Sequence, residues 1–219
     1  MDKQVHNRLS KFEFQKDWGF KRTPARPPKL QVLDFEKNYD YNTLWNDVIQ
    51  VNQQSIIIVG PPLYAIAAWM QHSCEFLSPS GRKLPWTYTE MDRVGTIHIQ
   101  TIQYHQDLIF RTPFGEYLVP VNYPDHVFRD KKVIVTISQN HPVEWLKQWI
   151  DYHKIVHNVD GFLIYNNRST IYSNDELQQG VHRDDMIIKV IDYDVPFGVM
   201  GGGLWEWKGN SGNYLPWDS

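Results

Sequence analysis

Val133–Ser169 reads VIVTISQNHPVEWLKQWIDYHKIVHNVDGFLIYNNRS, and its parts decide the architecture of the second half of the chain. KKVIVTIS, beginning at Lys131, is a continuous apolar run closing in polar residues, which predicts a strand buried on both faces of a parallel sheet. Pro142 suits the first turn of a following helix, where its missing N–H costs nothing, and Glu144 is well placed against the N-terminal dipole. Leu146, Trp149, Ile150 and Ile155 or Val156 form the apolar stripe of that helix, with Lys147, Gln148, Asp151 and Lys154 on its wet side. GFLIYNN then predicts a second buried strand whose polar end, Tyr165-Asn166-Asn167, falls at the carboxyl edge of the sheet, where ligands bind in open α/β folds. Asp175–Gln179 predicts a short helix and MIIKVIDYD, from Met186, a third strand. The economical topology is a βαβαβ unit with right-handed crossovers.

Upstream, Ser55 to Phe128 changes character to short β-rich runs (SIIIVG, SCEFL, WTYTEM, TIHIQTIQ, LIFRT, EYLVPV) parted by Pro79-Ser80-Gly81 and Pro113-Phe114-Gly115. Such runs predict a small antiparallel β domain, in which Ile97 and Ile99 alternate with His98 and Gln100 on a strand with one wet face. Leu44, Trp45, Val48 and Ile49 recur at helical spacing behind Asn42, which predicts a short helix over TLWNDVIQV. The division is therefore an extended lead-in of low order over 1–40, containing Pro24, Pro27 and Pro28, a β-rich domain over 41–130, and an α/β domain over 131–219. The last of these runs through Gly201-Gly202-Gly203 and Gly209–Gly212 to Tyr214-Leu215-Pro216-Trp217, which reads as a loop leading into a further element, as in a domain truncated at its C-terminus.

Twenty-two Lys and Arg against 25 Asp and Glu give a formal charge of −3, which offers no electrostatic footprint for nucleic acid. The single cysteine, Cys74, excludes an intramolecular disulfide framework, and its expected place is the interior. The longest apolar stretch, Ile56–Met70, is broken by Gly60-Pro61-Pro62 and is shorter than the ~18 residues a transmembrane segment needs. With no signal-peptide core, the expected location is cytoplasmic or peripheral to a membrane. His153 and His157 lie four apart, but Lys154 stands where a zinc protease helix has Glu, so hydrogen-bonded helix-face histidines are expected. Asp192-Tyr193-Asp194 places two carboxylates on alternate positions of an extended segment, a weak pattern for Mg²⁺ or Mn²⁺. Aromatic residues make up 14% of the chain, enough either to fill a core or to provide sugar-stacking faces.

Val133–Ser169 resembles the opening of glycosyltransferase family 92 and related family-2-like enzymes of the GT-A fold. The resemblance rests on Gln148-Trp149-Ile150-Asp151-Tyr152-His153 on the helix, Val159-Asp160-Gly161 at the turn and Tyr165-Asn166-Asn167-Arg168-Ser169 at the strand end. It implies an α/β architecture in which a β-rich accessory domain precedes a partial, Rossmann-like GT-A domain that binds a nucleotide-sugar. The implied activity is transfer of a sugar from a nucleotide-sugar donor to a hydroxyl of a glycan acceptor, with Mn²⁺ or Mg²⁺ on the diphosphate. By the family's geometry Ser138, Gln139, Asn140, Asn166 and Asn167 would line the base and ribose pocket, with Asp192 adding a contact from the third strand. Asp192 and Asp194 arrive earlier than the family's D-x-D, which belongs to a later strand. Asn166 stands where the family carries Asp, and Gln148 where it carries Glu; the amide at Asn166 implies altered pairing with the nucleotide. The alternative is a non-catalytic module, in which the aromatic-rich β region binds carbohydrate and the α/β unit is degenerate.

Overall fold

Alternating burial along SIIIVG, with Ile56 and Ile58 inside, sets the first sheet of a chain that is mixed α/β with strands predominating. The computed structural model describes residues 9–24, 27–31, 33, 35–91, 94–124 and 126–196. The glycine-rich stretch from Gly201 and the expected lead-out at Tyr214–Trp217 lie outside the described residues. The chain divides into two compact units, Ser10–Asn122 and Tyr123–Val195.

In the first unit the elements run β1 (Phe12–Glu13), α1 (Phe35–Asn38), β2 (Thr43–Trp45), β3 (Asp47–Asn52), β4 (Ser55–Gly60), α2 (Ile66–Ser73), β5 (Glu75–Leu77), β6 (Lys83–Leu84), β7 (Trp86–Glu90), β8 (Gly95–Gln100), β9 (Asp107–Thr112) and β10 (Gly115–Pro120). Two four-stranded antiparallel sheets result, ordered β3-β4-β8-β7 and β10-β9-β5-β6. Val48, Ile56, Ile58, Ile97 and Ile99 of the first share one core with Phe76, Leu84, Leu108, Phe110 and Val119 of the second. Trp45 is buried among them, stacked on Phe12 at 4.8 Å and edge-on to Phe110 at 5.0 Å. Cys74 is buried, and burial pushes its thiol up to about 12.

Two expectations fail here. TLWNDVIQV is not a helix; it forms β2 and β3, and β3 pairs antiparallel with β4. Val48, Ile49 and Val51 are β-branched and satisfied by the ladder, while the Asp47 carboxylate accepts from the N–H groups of Ser10 and Val48 and from Asn122 Nδ2, pinning the strand start. Nor are the described residues before residue 40 a lead-in of low order. Their backbone is largely irregular, yet Phe14, Trp18 and Phe35 are buried, and the buried Arg22 donates through Nη1 to Asp40 O and through Nη2 to Thr43 O. Helix α2 was not foreseen; Ile66 and Met70 bury its inner side four residues apart.

The second unit contains β11 (Val133–Ser138), α3 (Val143–His157), β12 (Gly161–Asn166), α4 (Asn174–Val181) and β13 (Ile187–Asp192). The strands are parallel in the order β11-β12-β13. Leu146 and Ile150 of α3 and Leu177 and Val181 of α4 share a core with Phe162, Ile164 and Val190. Trp149 packs edge-on against Phe162 at 5.1 Å. Both helices therefore cover the same face. A strand order that advances in one direction through crossovers of one hand has this result. The expected double burial of the first strand does not occur: β11 is an edge strand, with Val135 57% and Ile137 45% exposed. The expected helical stripe also stops short, since Ile155 and Val156 are exposed. No helix among the described residues is long and apolar enough to cross a membrane.

Gly161 opens β12 where a side chain has no room: a Cβ there would lie 2.6 Å from Ile187 O, a backbone atom of the neighbouring strand. Gly161→Ala should lower stability by about 1–3 kcal/mol, the usual cost of overpacking, read as a shift in the urea midpoint with little change in slope.

Candidate functional site

All three parallel strands end level. Register pairs Ser138 with Asn166 and Asn166 with Asp192, so three of the sequence-predicted residues stand side by side at the carboxyl edge. The ladder continues past the strands through Asn167 N to Ser138 O at 2.7 Å and Tyr193 N to Asn166 O at 3.0 Å.

Several predicted residues are occupied in holding this edge together. Asn167 is 1% exposed, and its Nδ2 donates to Tyr193 O at 2.9 Å and Val195 O at 2.7 Å. Asn140 adopts φ 55°, a left-handed conformation that Asn tolerates, and joins the two loops of the edge. Its Oδ1 accepts from Thr170 N at 2.7 Å, and its N–H donates to Ser169 Oγ at 2.9 Å. Ser138 Oγ is 3.0 Å from His141 Nδ1, and Gln139 is exposed.

Beside this scaffold lies a cleft of about 400 Å³ between the end of β12, the start of α4 and the end of β13. Asn166 and Asp192 line it; Ser138, Gln139, Asn140 and Asn167 do not. Asn166 is 4% exposed, and its Nδ2 donates to Asn174 Oδ1 at 2.6 Å while its Oδ1 has no hydrogen-bond partner. Tyr172, also lining the cleft, has a buried hydroxyl without a partner. A buried polar atom left unpaired costs free energy, and both of these belong to residues that line the cleft.

Sequence reasoning missed Tyr172, Asn174 and Gln178. The signal that could have found them is Ser173-x-x-Glu176, a capping box that starts α4 at the sheet edge. Ser173 Oγ accepts from Glu176 N at 3.2 Å, and Ser173 N donates to Glu176 Oε2 at 2.7 Å. These Ser173 bonds hold the Glu176 carboxyl below its ordinary value. Gln178 reaches the edge strand, accepting from Val190 N at 2.8 Å and donating to Ile188 O at 2.9 Å, the pair of bonds a further strand would make.

The D-x-D carboxylates are engaged differently. Asp194 pairs with Arg168 Nε at 2.5 Å, whereas Asp192 lines the cleft. Among the described residues no group of three or more His, Cys, Asp or Glu is arranged as a metal site. His153 and His157 stack at 5.0 Å, and His153 Nδ1 is buried without the hydrogen bond expected of it. No protein-family model, curated protein or solved structure matches this chain.

Asn167→Ala strips the buried Val195 carbonyl and the part-buried Tyr193 carbonyl of a donor and should cost about 1–3 kcal/mol in urea unfolding. Glu176 has a lowered folded-state pKa, so its contribution is complete above the ordinary value of 4.5 and is lost as pH falls through the lowered one. Glu176→Gln should accordingly flatten the acid limb of the melting-temperature profile while leaving the fold intact.

Proposed function

We propose that Tyr123–Val195 binds a nucleotide-sugar donor in the cleft beside Asn166, as the nucleotide-binding portion of a GT-A-type glycosyltransferase that passes the sugar to a hydroxyl of a glycan acceptor. The observation that carries this reading is the unpartnered Asn166 Oδ1, buried at the carboxyl end of the central parallel strand. A nucleobase ring N–H or a ribose hydroxyl supplies the donor that this oxygen lacks, and Tyr172 offers a second polar group nearby. A cleft of about 400 Å³ falls within the range of small-ligand sites, roughly 300–1,000 Å³.

In this reading Asn166 and Asp192 orient the nucleoside, and Arg168 sits at the rim with its charge shared with Asp194. Transfer breaks the anomeric C–O bond to phosphate, forms a bond from the acceptor oxygen to the anomeric carbon and moves the acceptor proton to a base, with the nucleoside diphosphate as leaving group; a divalent cation on the diphosphate would stabilise the charge that develops there. The resemblance over Val133–Ser169 points the same way, and the amide at Asn166 in place of a carboxylate sets the hydrogen-bonding preference.

Thermal shift and calorimetry with UDP, GDP, ADP and CDP, with and without Mn²⁺, test the reading on the full chain. At least one nucleotide should raise the melting temperature, and Asn166→Ala should weaken its binding by about tenfold or more, equivalent to ~1.4 kcal/mol. If no nucleoside diphosphate shifts the transition, the donor reading fails.

A further inference from the structure

The β unit carries a second cavity, about 870 Å³, that the donor cleft does not use. It lies at the end of α2 beside β5, β6 and the start of β7. Three of its polar residues, Glu75, Lys83 and Arg111, form an ion-pair array with Glu116, which lies outside the lining. Glu75 and Arg111 face each other across the β5–β9 ladder and bond at 3.2 Å, Lys83 of β6 pairs with the same Glu75, and Arg111 Nε donates to Glu116 at 2.7 Å. Two cations thus meet two carboxylates, and the array is electrically neutral. Arg111 spends two of its five N–H groups on these bonds. Trp86 and Pro85 supply an apolar wall, and the indole is held edge-on by Phe76 at 5.7 Å and 90°.

We infer that this cavity binds a neutral oligosaccharide. Pyranose rings present apolar C–H faces that pack on an indole and rims of hydroxyls that pair with guanidinium, carboxylate and amide groups, here Arg111, Glu75 and Gln71. Charge balance argues against a phosphate or uronate, since neither cation is left without its own carboxylate. An extended peptide is disfavoured because the bordering edge strand, β6, is two residues long and offers almost no ladder to extend. The inference stands independently of the donor reading, being carried by a different unit and different residues.

The test is calorimetry of the full chain against maltohexaose, cellohexaose, laminarihexaose and chitohexaose, with hexagalacturonate and a random decapeptide mixture as alternatives. At least one neutral hexasaccharide should bind, and Trp86→Ala should weaken it by roughly tenfold or more, the loss expected of a central aromatic contact. Trp86 leans on Phe76, so Gln71→Ala, at an exposed position, serves as a second variant: it should weaken binding with an unchanged melting midpoint. Absence of binding to all four sugars, binding untouched by both variants, or binding only to hexagalacturonate or peptide would overturn the proposal. Nucleotide binding at Asn166 is expected to persist in both variants, which separates failure here from failure of the donor reading.

Discussion

The in-register pairing of three parallel strands governs what the second unit can do. Because β11, β12 and β13 end on the same line, Ser138, Asn166 and Asp192 are placed side by side without help from side-chain contacts. The loops beyond them are then tied by amides: Asn140 bridges to Thr170, and Asn167 holds the carbonyls of Tyr193 and Val195. With the edge stapled in this way, Asn166 can keep one polar atom uncommitted. A shift of one residue in any strand would turn these side chains to the other face and dismantle the cleft.

Much of that unit was legible because its signals are local and redundant. Strand, helix and strand follow each other in Val133–Asn166 with a proline at the helix start and a glycine at the strand start, and each device agrees with the next. The predicted residues did converge on one edge. What a linear reading could not separate was their roles, because Asn166 and Asn167 are adjacent and chemically identical. Backbone alternation sends one amide to the cleft and the other to two carbonyls.

The failures lie where tertiary partners decide. Leu44, Trp45, Val48 and Ile49 satisfy a helical period as well as a strand, and the Ser10 and Asn122 groups that settle the matter at Asp47 come from distant parts of the chain. The expected low order before residue 40 missed its aromatic residues, whose partners lie far along the chain: Phe12 stacks on Trp45 and meets Phe110 edge-on. Burial of β11 was overestimated because a run of apolar residues does not reveal that both helices lie on one side of the sheet.

The buried Cys74 has a practical consequence. Its thiol, pushed up to about 12, stays protonated at neutral pH and is a poor nucleophile, and it is the single cysteine of the sequence. Its reactivity towards thiol reagents is correspondingly low at neutral pH. A cysteine introduced at an exposed position such as Gln139 would be the preferred point of attachment for a maleimide dye or a nitroxide, so the local environment of the carboxyl edge becomes accessible to spectroscopy without first engineering the native residue away.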